Sequence, residues 1–223
     1  MKIELKKRII TSIALFVLSI FSIFSHFTIF IASLIIISYF VFNEISKINY
    51  RIQKRNLFLL NTLSLFYIIG LFDASAIGLY KISGPMFIFY ILTICICSDI
   101  GGYIIGKKIG GKKLTKISPN KTISGSIGSF CFSFLPLLIF NNLDQQEYLY
   151  SINNFLFCLE VSLVSQLGDL FISYLKRKAK VKDTGRALPG HGGLLDRIDG
   201  VIFSIPFVYI YTFGLTSYFK ILF

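Results

Sequence analysis

Acidic side chains are scarce in this sequence, and its cysteines show no metal-binding pattern. Asp and Glu total 11 against 23 Lys and Arg, a net charge of +12. The four cysteines, Cys95, Cys97, Cys131 and Cys158, fall within apolar runs. Cys95 and Cys97 are two apart and point in different directions on a helix; with no CxxC spacing, all four read as small apolar residues. The glycine and Lys-Ser/Thr spacing of a Walker A loop is missing too. Basic Met1–Arg8 leads into an apolar run with no small-residue cleavage site after it, and a second apolar segment follows almost at once. That pattern predicts a retained signal-anchor helix rather than a removed leader. An excess of basic charge fits nucleic acid, a membrane surface or an anionic substrate. The hydropathy argues against nucleic acid.

Hydrophobic residues make up 54% of the chain, with a mean hydropathy of +0.72. Soluble domains are about 45–50% apolar. The excess lies in runs of roughly 16–25 residues, the length that crosses a bilayer. We expect an all-α, polytopic bundle of about seven transmembrane helices, near 9–25, 27–42, 57–72, 85–105, 125–140, 155–175 and 200–223. The run 9–42 is too long for one crossing, and Ser25-His26 marks a turn, with His26 at the interface. With the N-terminus in the cytoplasm, segments 1–8, 43–56, 106–123 and 176–199 are cytoplasmic and hold 21 of the 23 basic residues. One-sided partition of this kind is the positive-inside pattern. The chain divides into N-terminal helices, 1–84, and a region carrying the chemistry at its cytoplasmic face, 85–223.

Ionisable groups inside a span cost roughly 2.5–3.5 kcal/mol and are functional candidates for that reason. Asp99 and Asp169 stand out, in the fourth and sixth predicted spans. Each lies six or seven residues before a cytoplasmic helix end, about 10 Å along the axis, so both sit at similar depth. Ser162, Gln166, Asp169 and Ser173 are spaced 4, 3 and 4 apart, on one helical face. Ser162, Gln166 and Ser173 there read as an interhelical hydrogen-bonding face, whereas an aspartate at that depth asks for more. Beside Asp99, Gly102 and Gly106 permit either close helix packing or approach of backbone to a ligand.

Of the 17 glycines, seven lie in 101–128 and five in 185–200, beside the densest lysine. Glycine, lysine and hydroxyls at a helix start suit phosphate, through free N–H groups and the helix dipole. The first stretch, with Ser118-Pro119-Asn120-Lys121-Thr122, is a weak signal alone. The second runs Ser173-Tyr174-Leu175-Lys176-Arg177, Lys182-Asp183, Pro189-Gly190-His191-Gly192-Gly193 and Asp196-Arg197-Ile198-Asp199. Asp196 and Asp199 share a helical face and add to Asp169. Grouped carboxylates suit Mg²⁺ rather than Zn²⁺, and the neighbouring Lys and Arg suit a polyphosphate. A solvated loop explains the basic residues but not the aspartates or glycines.

The run Ser-x-x-Lys-Arg…Lys-Asp…Pro-Gly-His-Gly-Gly-x-x-Asp-Arg-x-Asp over 173–199 resembles the signature of the CDP-diacylglycerol synthase (phosphatidate cytidylyltransferase) family. Ser98-Asp99…Gly102-Tyr103, Ser118 to Thr122 and Gly168-Asp169 are similar to other family blocks, though Ser124 stands where an acidic residue is common. The resemblance covers about 98–128 and 162–200. It implies that CTP and phosphatidic acid react to CDP-diacylglycerol and pyrophosphate at a membrane, with Mg²⁺ and room for a second cation. Asp169 and Asp196, then Asp99 and Asp199, are the implied metal ligands. Lys121, Lys176, Arg177, Lys182 and Arg197, with Asp183 among them, are implied at the phosphates. His191 either donates to a phosphate or holds its loop. Ser118, Thr122, Ser173, Gly190, Gly192 and Gly193 are implied around the substrates. The family suggests a homodimer, and a bacterial plasma membrane is the simplest location.

Two rivals share some of these features. A cation-coupled secondary transporter also carries intramembrane carboxylates, but the aspartates here gather toward one face and no inverted repeat is visible. A CTP-dependent polyprenol kinase would transfer the terminal phosphoryl group, and the 189–199 run argues for the synthase instead. A CDP-alcohol phosphotransferase needs an Asp-Gly-x-x-Ala-Arg motif, which is absent.

Overall fold

In the computed structural model every element longer than an isolated bridge, among the described residues, is helical. It describes residues 2–143, 152–185, 187–188 and 192–222, with side chains over 10–140, 153–185, 187–188 and 192–213. Helices α1 (Lys2–Phe24) and α2 (Phe27–Ile52) meet at Ser25-His26, where the backbone of His26 is extended. After α2 the chain runs through α3 (Leu57–Leu65), a π-helical stretch Phe66–Asp73, and α4 (Ala74–Ile109). Then come α5 (Ile123–Phe132), α6 (Leu135–Leu143), α7 (Ile152–Lys178), the short α8 (Leu195–Ile198) and α9 (Val201–Leu222).

Among the described residues, four helical runs are long and apolar enough to cross a membrane: Phe27–Ile52, Leu57–Ile109, Ile123–Phe140 and Asn153–Lys178. Ile10–Phe24 and Val201–Phe213 are shorter apolar helices. The protein is therefore an integral membrane protein. Side chains such as Phe58, Ile35 and Leu18 are 86%, 63% and 61% exposed, as lipid-facing groups would be. Two segments read as loops from the sequence are helical. α2 continues past residue 42 to Ile52, burying Glu44 and Asn49, and residues 73–84 carry the chain helically from the third predicted span toward the fourth. The 53-residue run Leu57–Ile109 is interrupted at Gly84, whose φ of 81° and ψ of 173° leave the helical region. Pro85 disfavours an α conformation in the residue before it, and glycine alone takes that positive φ without strain. The break leaves 57–83 and 85–109, each about a bilayer in length by helical rise.

The chain forms two compact units, Met1–Phe89 with Leu175–Asp199, and Tyr90–Tyr174 with Gly200–Phe223. In the first, α2 is the central element. Phe30 stacks on Tyr80 at 4.7 Å, Ser38 Oγ donates to the Asp73 carboxylate at 2.8 Å, and Asn49 Nδ2 donates to Asn61 Oδ1 at 3.0 Å. In lipid, apolar surface gives little drive for helices to associate, so such hydrogen bonds and close packing fix their pairing.

The second unit uses small residues. A Cβ on Gly101 would lie 2.5 Å from the Gly128 carbonyl oxygen and 2.5 Å from Phe132 Cβ. One on Gly125 would lie 2.9 Å from the Gly102 carbonyl oxygen, and one on Gly106 would meet Gly125 Cα at 3.3 Å. The glycines beside Asp99 thus bring the backbones of α4 and α5 together. Gly101→Ala should cost about 1–3 kcal/mol through overpacking against backbone, read as a fall in Tm in detergent. Gly70→Ala, whose Cβ meets only the Phe66 ring at 3.5 Å, should leave Tm unchanged or raise it.

Candidate active site

In the second unit the 110–123 segment folds as a tight hairpin that fixes Lys121. Gly110 and Gly111, with φ of 65° and 102°, turn the chain off α4. Leu114 N donates to the Lys121 carbonyl at 2.8 Å, Ile123 N to the Lys112 carbonyl at 3.0 Å, and Lys121 N to the Ser118 carbonyl at 3.0 Å. Ser118 N is held by Thr115 Oγ1 at 3.3 Å. Thr122 then caps α5, its hydroxyl accepting from Gly125 N at 3.1 Å, while Ser124 Oγ donates to the Gly110 carbonyl. The hydroxyls of Thr122 and Ser124 therefore close the hairpin and start the helix.

This frame delivers the Lys121 ammonium to Asp169 Oδ2 on α7, where the two form an ion pair. Ser173, one turn on, donates to Asp169 Oδ1 at 3.3 Å. Both members of the pair keep more than a quarter of their side-chain surface exposed, 27% and 28%, so they remain within reach of an anionic ligand. Before Asp169, the stripe is used up in one bond within α7 and one each to α5 and α4. Ser126 Oγ donates to Gln166 Oε1 at 2.5 Å, Gln166 Nε2 donates to Ser162 Oγ at 3.3 Å, and Ser162 bonds Ser98 at 2.8 Å. The face divides: Ser162 and Gln166 tie helices, and Asp169 meets both Lys121 and Ser173. Asp99 is exposed on α4, next to buried Ser98.

In the first unit, residues 175–199 wrap around Asp196. The Lys176 ammonium donates to Asp196 Oδ1 at 2.6 Å, and the side chains are only 11% and 7% exposed. Asp196 Oδ2 accepts from Thr184 N at 2.8 Å, Thr184 Oγ1 at 3.0 Å and Gly193 N at 3.1 Å. Burial pushes the Asp196 carboxyl up, but the Lys176 bond and charge and the two backbone N–H groups outweigh it, holding it below the usual carboxylate range. A short bridge between Leu188 and Gly192 closes the loop, and Gly192 takes a φ of 86°. Its missing Cβ leaves room for Asp196 Oδ2 and Asp183, 3.0 and 3.2 Å from where that atom would sit. Asp199 is buried at the end of α8, while Arg177, Lys182, Asp183 and Arg197 are exposed. Gly190 and His191 lie outside the described residues.

Two residues that sequence reading passed over, Glu44 and Thr184, organise this loop. Glu44, on α2 and 4% exposed, accepts from Thr184 Oγ1 at 2.6 Å, Leu194 N at 2.9 Å and Leu195 N at 3.0 Å. The close approach at Gly193 is to these groups: a Cβ there would run into Thr184 Oγ1 and Glu44 Oε2. Gly185 meets Glu44 in the same way, 2.7 Å from Oε1.

Among the described residues no three of His, Cys, Asp and Glu converge as a ready metal site. The donors still fit a hard divalent cation. Mg²⁺ keeps several waters and takes one or two carboxylates plus substrate phosphates, and Asp169, with its partly exposed oxygens, is a donor of that type. Asp196 is more committed, its Oδ2 already accepting three bonds.

Long apolar helices, joined by glycine-rich basic loops, define an integral membrane protein. The chain belongs to the Cytidylyltransferase family, which its residues 51–215 match. It is 43% identical over 129 residues to a phosphatidate cytidylyltransferase of Bacillus subtilis, covering 56% of this chain and 47% of that protein. To proteins of the same name it is 40% identical over 128 residues in Helicobacter pylori (57% and 47% covered) and 44% over 118 residues in Synechocystis (52% and 40%). The chain thus spans about half the length of the curated relatives it matches.

Proposed function

We propose that the protein is a phosphatidate cytidylyltransferase, converting CTP and phosphatidic acid to CDP-diacylglycerol and pyrophosphate. The observation that carries this reading is the 173–199 run, whose Lys176, Asp196, Gly192 and Gly193 are arranged in one closely bonded loop.

The nucleophile is an oxygen of the lipid phosphate, already anionic at neutral pH, so no strong general base is needed. It attacks the α-phosphorus of CTP; a new P–O bond forms there, and the bond to the β-phosphate oxygen breaks to release pyrophosphate. The protein's work is positioning and charge stabilisation. A divalent cation, Mg²⁺ in this reading, would neutralise triphosphate charge, with Asp169 and Asp196 as its first ligands and Asp99 and Asp199 as second choices. Lys121 reaches the phosphates by exchanging Asp169 for them, and Arg177, Lys182 and Arg197 supply exposed cations. Asp183, Ser118, Thr122 and Ser173 hold backbone or ligand groups in place, and the glycines 190, 192 and 193, with His191, let the chain approach the nucleotide.

The partition of 21 of 23 basic residues supports seven crossings with the N-terminus and these loops in the cytoplasm, where CTP is found. The bacterial relatives support a plasma membrane. In mixed micelles with Mg²⁺, phosphatidic acid and CTP, the purified protein should form CDP-diacylglycerol and pyrophosphate in equal amounts by mass spectrometry and phosphate assay. Pyrophosphate without the liponucleotide, or neither product, would contradict this reading.

A further inference from the structure

Glu44 is the most thoroughly bonded acidic side chain outside the predicted ligand set. It sits on α2, 140 residues before Thr184 and 150 before Leu194, yet both its oxygens are spent on that one loop. Oε1 accepts from Leu194 N, and Oε2 accepts from Leu195 N and from the Thr184 hydroxyl. A buried carboxylate is tolerated only when so satisfied. The chain has made room for it: Gly185 and Gly193 both lie where a Cβ would collide with it. Thr184 links it to Asp196, since its hydroxyl contacts Glu44 Oε2 at 2.6 Å and Asp196 Oδ2 at 3.0 Å, and its N–H donates to Asp196 Oδ2 at 2.8 Å. Thr184, bonded to Glu44, and Gly193, beside the Leu194 and Leu195 amides that Glu44 holds, both donate to the carboxylate that also holds Lys176.

We propose that Glu44 is a positioning residue, which through Thr184 and the 193–195 backbone sets the place of Asp196 and Lys176 for CTP. The inference rests on the cytidylyltransferase reading. It assigns to the N-terminal part of the chain a role beyond anchoring. Glu44 touches no reacting atom; it acts by keeping the loop in one conformation.

Glu44→Gln keeps the shape but turns one accepting oxygen into a donor facing N–H groups, so the clamp cannot close. Amide hydrogen exchange of peptides spanning 182–197 should quicken at least tenfold in this variant and in Thr184→Val. The ratio kcat/KM for CTP should fall about 10–100-fold, the range for residues that orient ligand-bearing groups, with KM for phosphatidic acid and Tm little changed. Should Glu44→Gln not fold, Thr184→Val carries the same measurements. Unchanged exchange, unchanged activity, or a loss that follows Tm and affects both substrates alike would overturn the proposal. If the wild-type protein makes no CDP-diacylglycerol, the functional reading fails by itself. Exchange then decides the clamp: faster in Glu44→Gln upholds it, unchanged removes it.

Discussion

Asp169→Asn is expected to lower the rate of cytidylyl transfer about 1,000-fold while leaving the protein folded. The carboxylate is the partner of Lys121 and accepts from Ser173. Asparagine keeps its volume and a hydrogen-bonding oxygen but not its charge. Since the pair is more than a quarter exposed on each side, little stability rests on it, and Tm should move by no more than a few degrees. Three decades of rate correspond to about 4 kcal/mol, the scale of charge stabilisation that a metal-held phosphoryl group receives. Raising Mg²⁺ should recover part of the loss if Asp169 is a ligand. Equal activity in wild type and variant would remove Asp169 from the chemistry and leave it a partner of Lys121 only.

Lys176→Met should act in the opposite way, on stability first. Lys176 and Asp196 are 11% and 7% exposed. Removing the ammonium leaves a buried carboxylate whose other oxygen is already committed to Thr184 and Gly193. Breaking one side of a buried pair costs about 3–5 kcal/mol, enough to lower Tm by about 6–20 degrees for a chain of this size. Arg177→Met is the control: among the described residues its exposed guanidinium bonds the Val181 carbonyl, at 3.4 Å, so its Tm should stay within about two degrees. Thermal unfolding of both in the same detergent decides the point. A small shift for Lys176→Met would mean that water enters the 176–196 pocket and screens the pair.

The helices were legible because membrane spans announce themselves by length and apolarity. The turn at Ser25-His26 falls between α1 and α2. Helix ends were harder to read, since charge marks where a span leaves lipid, not where hydrogen bonding stops. α2 therefore continues through the Lys and Arg of 43–52, and the stretch from Phe66 to Ala76 stays helical although Asp73 reads as a boundary. Gly84-Pro85 carries the break there.

At the site, the Lys176–Asp196 pair joins two residues that the 173–199 pattern singles out, and Asp169 of the α7 stripe pairs with Lys121. The glycines by Asp99 were open between packing and ligand approach, and in the fold they meet backbone of α5. Glu44 was not legible. It precedes Lys47 by three residues, near Arg51, Lys54 and Arg55, and so resembles a solvated i, i+3 pair on a cytoplasmic flank. Its partners lie 140 to 151 residues away. A single sequence carries no signal at that distance, and only the collision of Gly185 and Gly193 with the same carboxylate discloses it.

The most direct test of the central claim follows two labels through one turnover. CTP labelled at the α-phosphate and, separately, at the γ-phosphate is given to the purified protein with phosphatidic acid and Mg²⁺, and the organic-extractable phase is counted. The account predicts α-label in the lipid and γ-label in water-soluble pyrophosphate. The γ-label in the lipid fraction would identify a kinase, and no label in lipid from folded, CTP-binding protein would contradict the transferase altogether.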